Sequence, residues 1–459
     1  MRAPTRLRTS VRRNGGLSSG SDPRPRARRR LLGVGALAVV VMAAGALSPW
    51  HGSDGEPAVP TQGNLVGPVL ASGSLEQTIS ALQERLRDKK DPRSLALLGL
   101  AYLQQARISA DPAYYPKAES SLRASLELRA DYNPNAFLGM GLLALGRHEF
   151  ADALDWGRRA LDAAPYDPNV RGVIVDALVE LGRYEGARRA LQEMIDMRPD
   201  LASYARVSYL RELHGDTSGA LIAMRLAGGA AGTPADRAWA QHRLGELFFG
   251  RGRLRPALRA YERSAELLPG YVPARVGVAK VHAASGHLGS AARILSGVVT
   301  RYPLPEAVVL LGDVHLAMRR NEAAHRNYDL VRAIDRLYRA NGVNTDVELA
   351  LFEADHGFSL IRALSRTRAE YQRRDGVQVA DALAWTLYSA GRYVEASRFS
   401  REALKLGTKS ALFHFHAGMI DLRLGRPTSA RRHLRRALAL NPHFSLLHAG
   451  TAERALARL

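Results

Sequence analysis

LGELFFGRGRLRPALRAYERSAELLP, residues 244–269, decides the fold of this chain. An apolar run opens the stretch, Gly252 interrupts it, a second apolar-periodic run follows from Leu254, and Pro269 ends it. Glycine supplies the left-handed backbone that a tight turn between helices requires, and proline cannot continue a helix. The segment therefore reads as helix, turn, helix, stop.

The same unit recurs on both sides. Ala257 belongs to a series formed by Ala118, Ala153, Ala187, Ala220, Ala257, Ala291, Ala324, Ala363, Ala396 and Ala430, spaced 33 to 39 residues apart. Twelve residues after the marker alanine stands Pro165, Pro199, Pro269, Pro303 or Pro442, and five before it stands Gly182, Gly215, Gly252, Gly286, Gly391 or Gly425. Small residues keep two further offsets: Gly245, Ala279, Gly312, Ala384 and Gly418 on the first helix, and Ala160, Ala227, Ser264, Ala403 and Ala437 on the second. The second set lies seven residues, or two helical turns, beyond the marker, so both small positions share one face and let the two backbones approach.

A fixed period of this length is the signature of a repeat array. The unit resembles the tetratricopeptide repeat, and about ten copies run from Pro92 to Ser445. The resemblance implies an all-α, superhelical α-solenoid of antiparallel helix pairs. Three copies depart from the pattern: the first carries Asp111-Pro112-Ala113-Tyr114 in its turn, the fourth runs into Gly228-Gly229, and the eighth, around Phe352 to Arg374, keeps few marks. A capped helix starting at Ser74 and a short terminal helix after His448 are expected to close the two ends.

Composition agrees. Of the 459 residues 46% are hydrophobic and only 7% aromatic, with no strand pattern beyond Pro92. Cysteine is absent, which excludes disulfides, thiolate metal sites and a cysteine nucleophile. The net charge of +21 is uneven, because residues 1–30 hold ten Arg and one Asp. That tail is read as basic and disordered, so a uniformly basic nucleic-acid binder is not the expectation.

Residues 31–50, LLGVGALAVVVMAAGALSPW, carry no charge and as a helix would be roughly 30 Å long, enough to cross a bilayer. The arginines precede this segment, whereas His51 to Glu84 contains no Lys or Arg, which directs the N-terminus to the cytoplasm and the rest of the chain outside. A single-pass anchor is the expectation; a cleaved signal peptide, with Ala44-Gly45-Ala46 as its cleavage site and secretion as its outcome, is the alternative. Residues 51–73 read as a flexible linker and 74–459 as the repeat domain.

Catalytic motifs fail their structural tests. Gly16-Leu17-Ser18-Ser19-Gly20 matches a serine-hydrolase elbow but sits in the basic tail, His148-Glu149 lacks the second histidine of a zinc protease, and Gly139-Met140-Gly141 falls inside a repeat helix. His414 and His416 are two apart and would point to different faces of a helix, so no metal site is expected. No enzyme activity, cofactor or nucleic-acid ligand is expected.

What remains is surface. Proteins of the resembling family use the concave wall formed by first helices, where Asp381, Trp385 and Tyr388, then Phe415 and Met419, and in mid-array Trp239 and Phe249, would offer anchors for a protein or peptide. The opposing reading is that these side chains pack between neighbouring first helices. The expected function is a membrane-tethered protein-interaction scaffold displayed outside the cytoplasm; the alternative is a module binding an anionic polymer of the envelope through its basic surface.

Overall fold

In a computed structural model the described residues are 75–109 and 111–459, which lie within one compact unit. They form 22 α-helices and, among the described residues, no strand. Helix α1 (Leu75–Asp88) precedes ten antiparallel pairs. The first five pairs are α2 (Pro92–Ser109) with α3 (Tyr114–Leu128), α4 (Pro134–Gly146) with α5 (Phe150–Ala163), α6 (Pro168–Glu180) with α7 (Tyr184–Met197), α8 (Leu201–Leu213) with α9 (Thr217–Gly229), and α10 (Pro234–Phe249) with α11 (Leu254–Leu267). The next five are α12 (Val272–Ala284) with α13 (Leu288–Val299), α14 (Pro305–Ala317) with α15 (Asn321–Ala340), α16 (Asp346–Asp355) with α17 (Leu360–Arg373), α18 (Val377–Ser389) with α19 (Tyr393–Ala403), and α20 (Ala411–Arg423) with α21 (Pro427–Leu440). Helix α22 (Ala449–Arg458) follows the last pair. The array is an all-α solenoid of helix pairs, including the irregular eighth pair. The apolar segment 31–50 lies outside the described residues; among those described, no helix is long and apolar enough to cross a membrane.

The repeating pattern has a direct physical reading. Each of the ten marker alanines is at most 1% exposed, because it lies where the two helices of a pair touch. Gly182 adopts φ +75°, Arg183 N–H donates to the Leu178 carbonyl and Gly182 N–H to the Val179 carbonyl, so the first helix ends in a doubly bonded left-handed turn. Where the second and seventh pairs lack glycine at this place, His148 and Arg319 take the same left-handed backbone, at φ 62° and 59°. Tertiary packing holds there a conformation that a side chain disfavours by about 1 kcal/mol or more.

Large residues of the second helices fill the bays that first-helix glycines leave open. A Cβ on Gly245 or on Gly277 would stand 2.4 Å from the Tyr261 ring, so one tyrosine occupies bays in two consecutive repeats. Leu122 does the same for Gly99 and Gly139. Neighbouring pairs are thus keyed together, which is how a unit too small to fold alone gains its stability.

The array also touches itself. The intra-pair turns of the second to fifth pairs meet the inter-pair loops that come between five and six repeats later. His148 Nδ1 donates to the Asn344 carbonyl at 2.7 Å, Val377 N–H donates to the Tyr184 hydroxyl at 2.8 Å, Thr408 Oγ1 to the Leu213 carbonyl at 2.5 Å, and Asn441 Nδ2 to the Phe249 carbonyl at 3.0 Å. Arg374 ties Glu180 of the first turn, at 2.5 Å, to Glu370 of the second, at 2.6 Å. Successive turns of the superhelix are therefore locked, and a single apolar cluster joins residues 82–143 to residues 272–352. First helices are enclosed on nearly all sides: ten of the 13 residues of α4 are buried, against five of 14 in α5. This matches their sequences, since α4 is apolar all round and α5 only along one stripe.

A candidate protein-interaction cleft

That enclosure sets the position of the seven groove residues. Trp239 packs with Leu201, Ala205 and Met224, and Phe249 with Ala257, Tyr261 and Val281; both aromatics are buried. Trp385 is 4% exposed and lies between parallel rings, 4.7 Å from Tyr388 and 4.1 Å from His416, while its Nε1 donates to Asp355 at 2.7 Å. Phe415 is 1% exposed against Phe444 and His448. Asp381 is buried and accepts from His416 Nδ1 at 2.9 Å. All five side chains are buried: Asp381, Trp385 and Phe415 against neighbouring first helices and the C-terminal segment, Trp239 and Phe249 in clusters that include second helices. Tyr388 and Met419 are half-exposed, and they lie where the array ends.

The histidines divide in the way their spacing requires. His416 turns inward to Asp381, whereas His414 meets His433 of the next helix, Nδ1 to Nδ1 at 3.1 Å. Burial, then the neighbouring His433 and Arg436, lower the His414 pKa to about 4, so the pair is neutral at physiological pH. Among the described residues no group of three or more His, Cys, Asp or Glu is placed to hold a metal. His148 is buried and bonded to Asn344, and Gly139 to Gly141 lie within α4, so neither motif forms a site. The serine motif at 16–20 lies outside the described residues.

At the end of the last pair an open cleft of about 410 Å³ separates α20 from α22. Met419, Leu422 and Arg423 line one wall; Thr451, Arg454, Ala455, Arg458 and Leu459 line the other. Three arginines meet three large apolar side chains there, and no carboxylate side chain lines it. The Arg423 guanidinium lies 5.8 Å from the centre of the Tyr393 ring, which orients it. Arg454 and Arg458 are one helical turn apart and therefore point the same way. The volume lies within the ~300–1,000 Å³ range of sites that enclose a ligand group. A segment bearing carboxylates and an apolar side chain has matching chemistry.

The arginines of this wall went unnoticed in the sequence, where α22 reads only as a terminal cap. The available signal was Thr451, Arg454 and Arg458, at three and four residue spacing on one face.

Sequence models of the tetratricopeptide repeat match residues 113–168 and 144–211. The chain is a tetratricopeptide repeat protein. No curated protein matches it. Among solved structures it is similar to TTC0263, a thermophilic tetratricopeptide repeat protein of Thermus thermophilus, with 21% identity over 41% of this chain and 98% of that one, at a TM-score of 0.37. A tetratricopeptide repeat protein of Parabacteroides merdae matches at 17% identity over 52% and 97% of the two chains, with a TM-score of 0.39. The human IFIT1 dimer with PPP-AAAA matches at 14% identity over 72% and 78%, with a TM-score of 0.46. Tetratricopeptide repeats are generally non-catalytic scaffolds for protein contacts. In this array the terminal cleft is one surface left open for contact.

Proposed function

We propose that this tetratricopeptide repeat protein is a scaffold tethered to the membrane by residues 31–50, with its repeats outside the cytoplasm, and that it captures an acidic, partly apolar segment of a partner protein in the cleft between α20 and α22. The observation that carries the binding reading is the pairing of Arg423, Arg454 and Arg458 with Met419, Leu422 and Leu459 around one cavity. Arginine recognises carboxylates through a rigid fork of donors, and the apolar wall supplies the desolvated anchor that makes such contacts strong. The topological reading rests on the arginine-rich flank before residue 31 and the absence of Lys and Arg between 51 and 84.

Two measurements test this. A reporter active only outside the cytoplasm, fused to Leu459, should give signal, and a fusion active only in the cytoplasm should be dark; the reverse pattern overturns the topology. A labelled peptide of alternating Glu and Leu should bind the full chain, and Arg454→Ser with Arg458→Ser should weaken it by about tenfold or more while leaving helical content unchanged. Unchanged binding by that variant removes the cleft. Binding of a purely anionic polymer with equal strength, steeply lost with salt and insensitive to the apolar wall, favours the envelope-polymer reading instead.

A further inference from the structure

The turns between paired helices fall into two classes. At Gly182, Gly215 and Gly252 a Cβ would meet atoms of the next superhelical turn, at 2.7 Å from Asp375, 2.3 Å from the Gly407 carbonyl and 2.9 Å from Pro442. At the equivalent Gly286, Gly391 and Gly425 nothing lies within 4 Å. The same local structure is a docking edge in the first superhelical turn and an open edge in the second.

The opposite edge shows the complementary asymmetry. Inter-pair loops of the second turn are covered, with Thr345, Thr408 and Asn441 all buried. The corresponding loops of the first turn are bare: Tyr132 is 72% and Tyr166 87% exposed, at equivalent places 34 residues apart. Exposed tyrosines in two successive loops give this edge amphipathic rings of the kind enriched at protein interfaces.

The two open edges differ in charge. The uncovered turns at Gly391 and Gly425 carry Arg392 and Arg426, both exposed, each paired within its own repeat pair, with Glu395 and Asp421. The bare loops carry Arg129 and Asp131 beside Tyr132, and Asp167, whose side chain caps α6 by accepting from Asn169 N–H, beside Tyr166. Aspartate and tyrosine facing arginine is a favourable pairing by charge and by ring stacking.

Because the chain already docks one edge of this kind upon the other, we propose that a second copy of this chain docks in the same manner: its bare loops around Tyr132 and Tyr166 settle on the uncovered turns at Gly391 and Gly425 of the first. The contact continues the intrachain interface across two molecules. It joins different patches on the two copies, so it is head-to-tail and extends into chains rather than closing as a symmetric dimer. Binding in the terminal cleft does not depend on it.

The natural chain contains no cysteine, which makes a clean test possible. One full-length population carries Tyr132→Cys and Tyr166→Cys, the other Arg392→Cys and Arg426→Cys, each in detergent micelles under mild oxidation. The mixture should give disulfide-linked heterodimers, with neither population linking to itself. A chain carrying all four substitutions should give a ladder of oligomers. Further replacement of Asp131 and Asp167 by Arg in the first population should remove the heterodimer, through repulsion from the arginines, with circular dichroism unchanged. Links within either single population would show a symmetric contact, and no link in the mixture would show none; either result overturns the proposal.

Discussion

Gly245→Ala in α10 sets two well-known effects against each other. Alanine is favoured over glycine in a helix interior by about 1 kcal/mol, so on propensity alone the change stabilises. The structure predicts the opposite sign. The new Cβ would lie 2.4 and 2.5 Å from two carbons of the Tyr261 ring, and the ring has little room to withdraw, because it also fills the space beside Gly277 of the next repeat, where a Cβ would stand equally close. Its hydroxyl is fixed as donor to Glu246 at 2.5 Å, and Glu246 in turn holds Lys280 at 2.6 Å. Overpacking costs roughly 1–3 kcal/mol, and a ring tied at its hydroxyl lies toward the upper end, about 2–3 kcal/mol, so after the helical gain of about 1 kcal/mol the variant should lose about 1–2 kcal/mol. Gly289→Ala in α13 is the control: nothing lies within 4 Å of that Cβ, and the variant should hold or gain up to about 1 kcal/mol. Urea unfolding followed by circular dichroism gives the comparison. Because a solenoid can lose neighbouring repeats in steps, hydrogen exchange across 244–264 should locate the loss. If Gly245→Ala unfolds at or above the parent midpoint, or behaves like Gly289→Ala, the keyed packing of Tyr261 is misassigned.

Arg374→Ala should destabilise by about 3 kcal/mol, since it strands Glu180 at the lock between superhelical turns and leaves Glu370 with only Arg373 and Asn344, and a denaturation series measures it. Trp385→Ala with Phe415→Ala should lower the unfolding midpoint sharply, each truncation costing about 3–5 kcal/mol, whereas Arg454→Ser should stay within about 0.5 kcal/mol of the parent. Burial raises the Glu348 pKa to about 8 against the opposing pull of Arg374, with Glu370 and Glu180 adding to the rise. The folded chain then keeps a proton there that the unfolded chain releases above its ordinary 4.5, so stability falls as pH rises from about 4.5 to about 8. Glu348→Gln should flatten that slope in unfolding measured across the window.

The repeat was fully legible, and so was much of its detail. Ala257, Gly252 and Pro269 mark where two helices touch, turn and stop, and those demands are local: they depend on side-chain size and backbone freedom within one pair or its neighbour. The eighth pair, with few of these marks, still forms because adjoining pairs offer it two apolar faces. The groove residues show where local reading ended. Helical spacing places Asp381, Trp385 and Tyr388 on one face, yet it cannot say whether that face meets solvent. Small per-repeat rotations accumulate along the stack, and here they bring Gly182 back upon Asp375 after more than five repeats. Sequence determined the unit and its count; only the tertiary structure decided how tightly the array winds. Winding covers Thr408 and Asn441 with the turns of earlier pairs and leaves Tyr132 and Tyr166 bare, while packing against adjacent helices buries Trp385 and Phe415 and sets α22 beside α20. The covered edges depend on contacts between residues nearly 200 positions apart, for which a period of about 34 carries no signal.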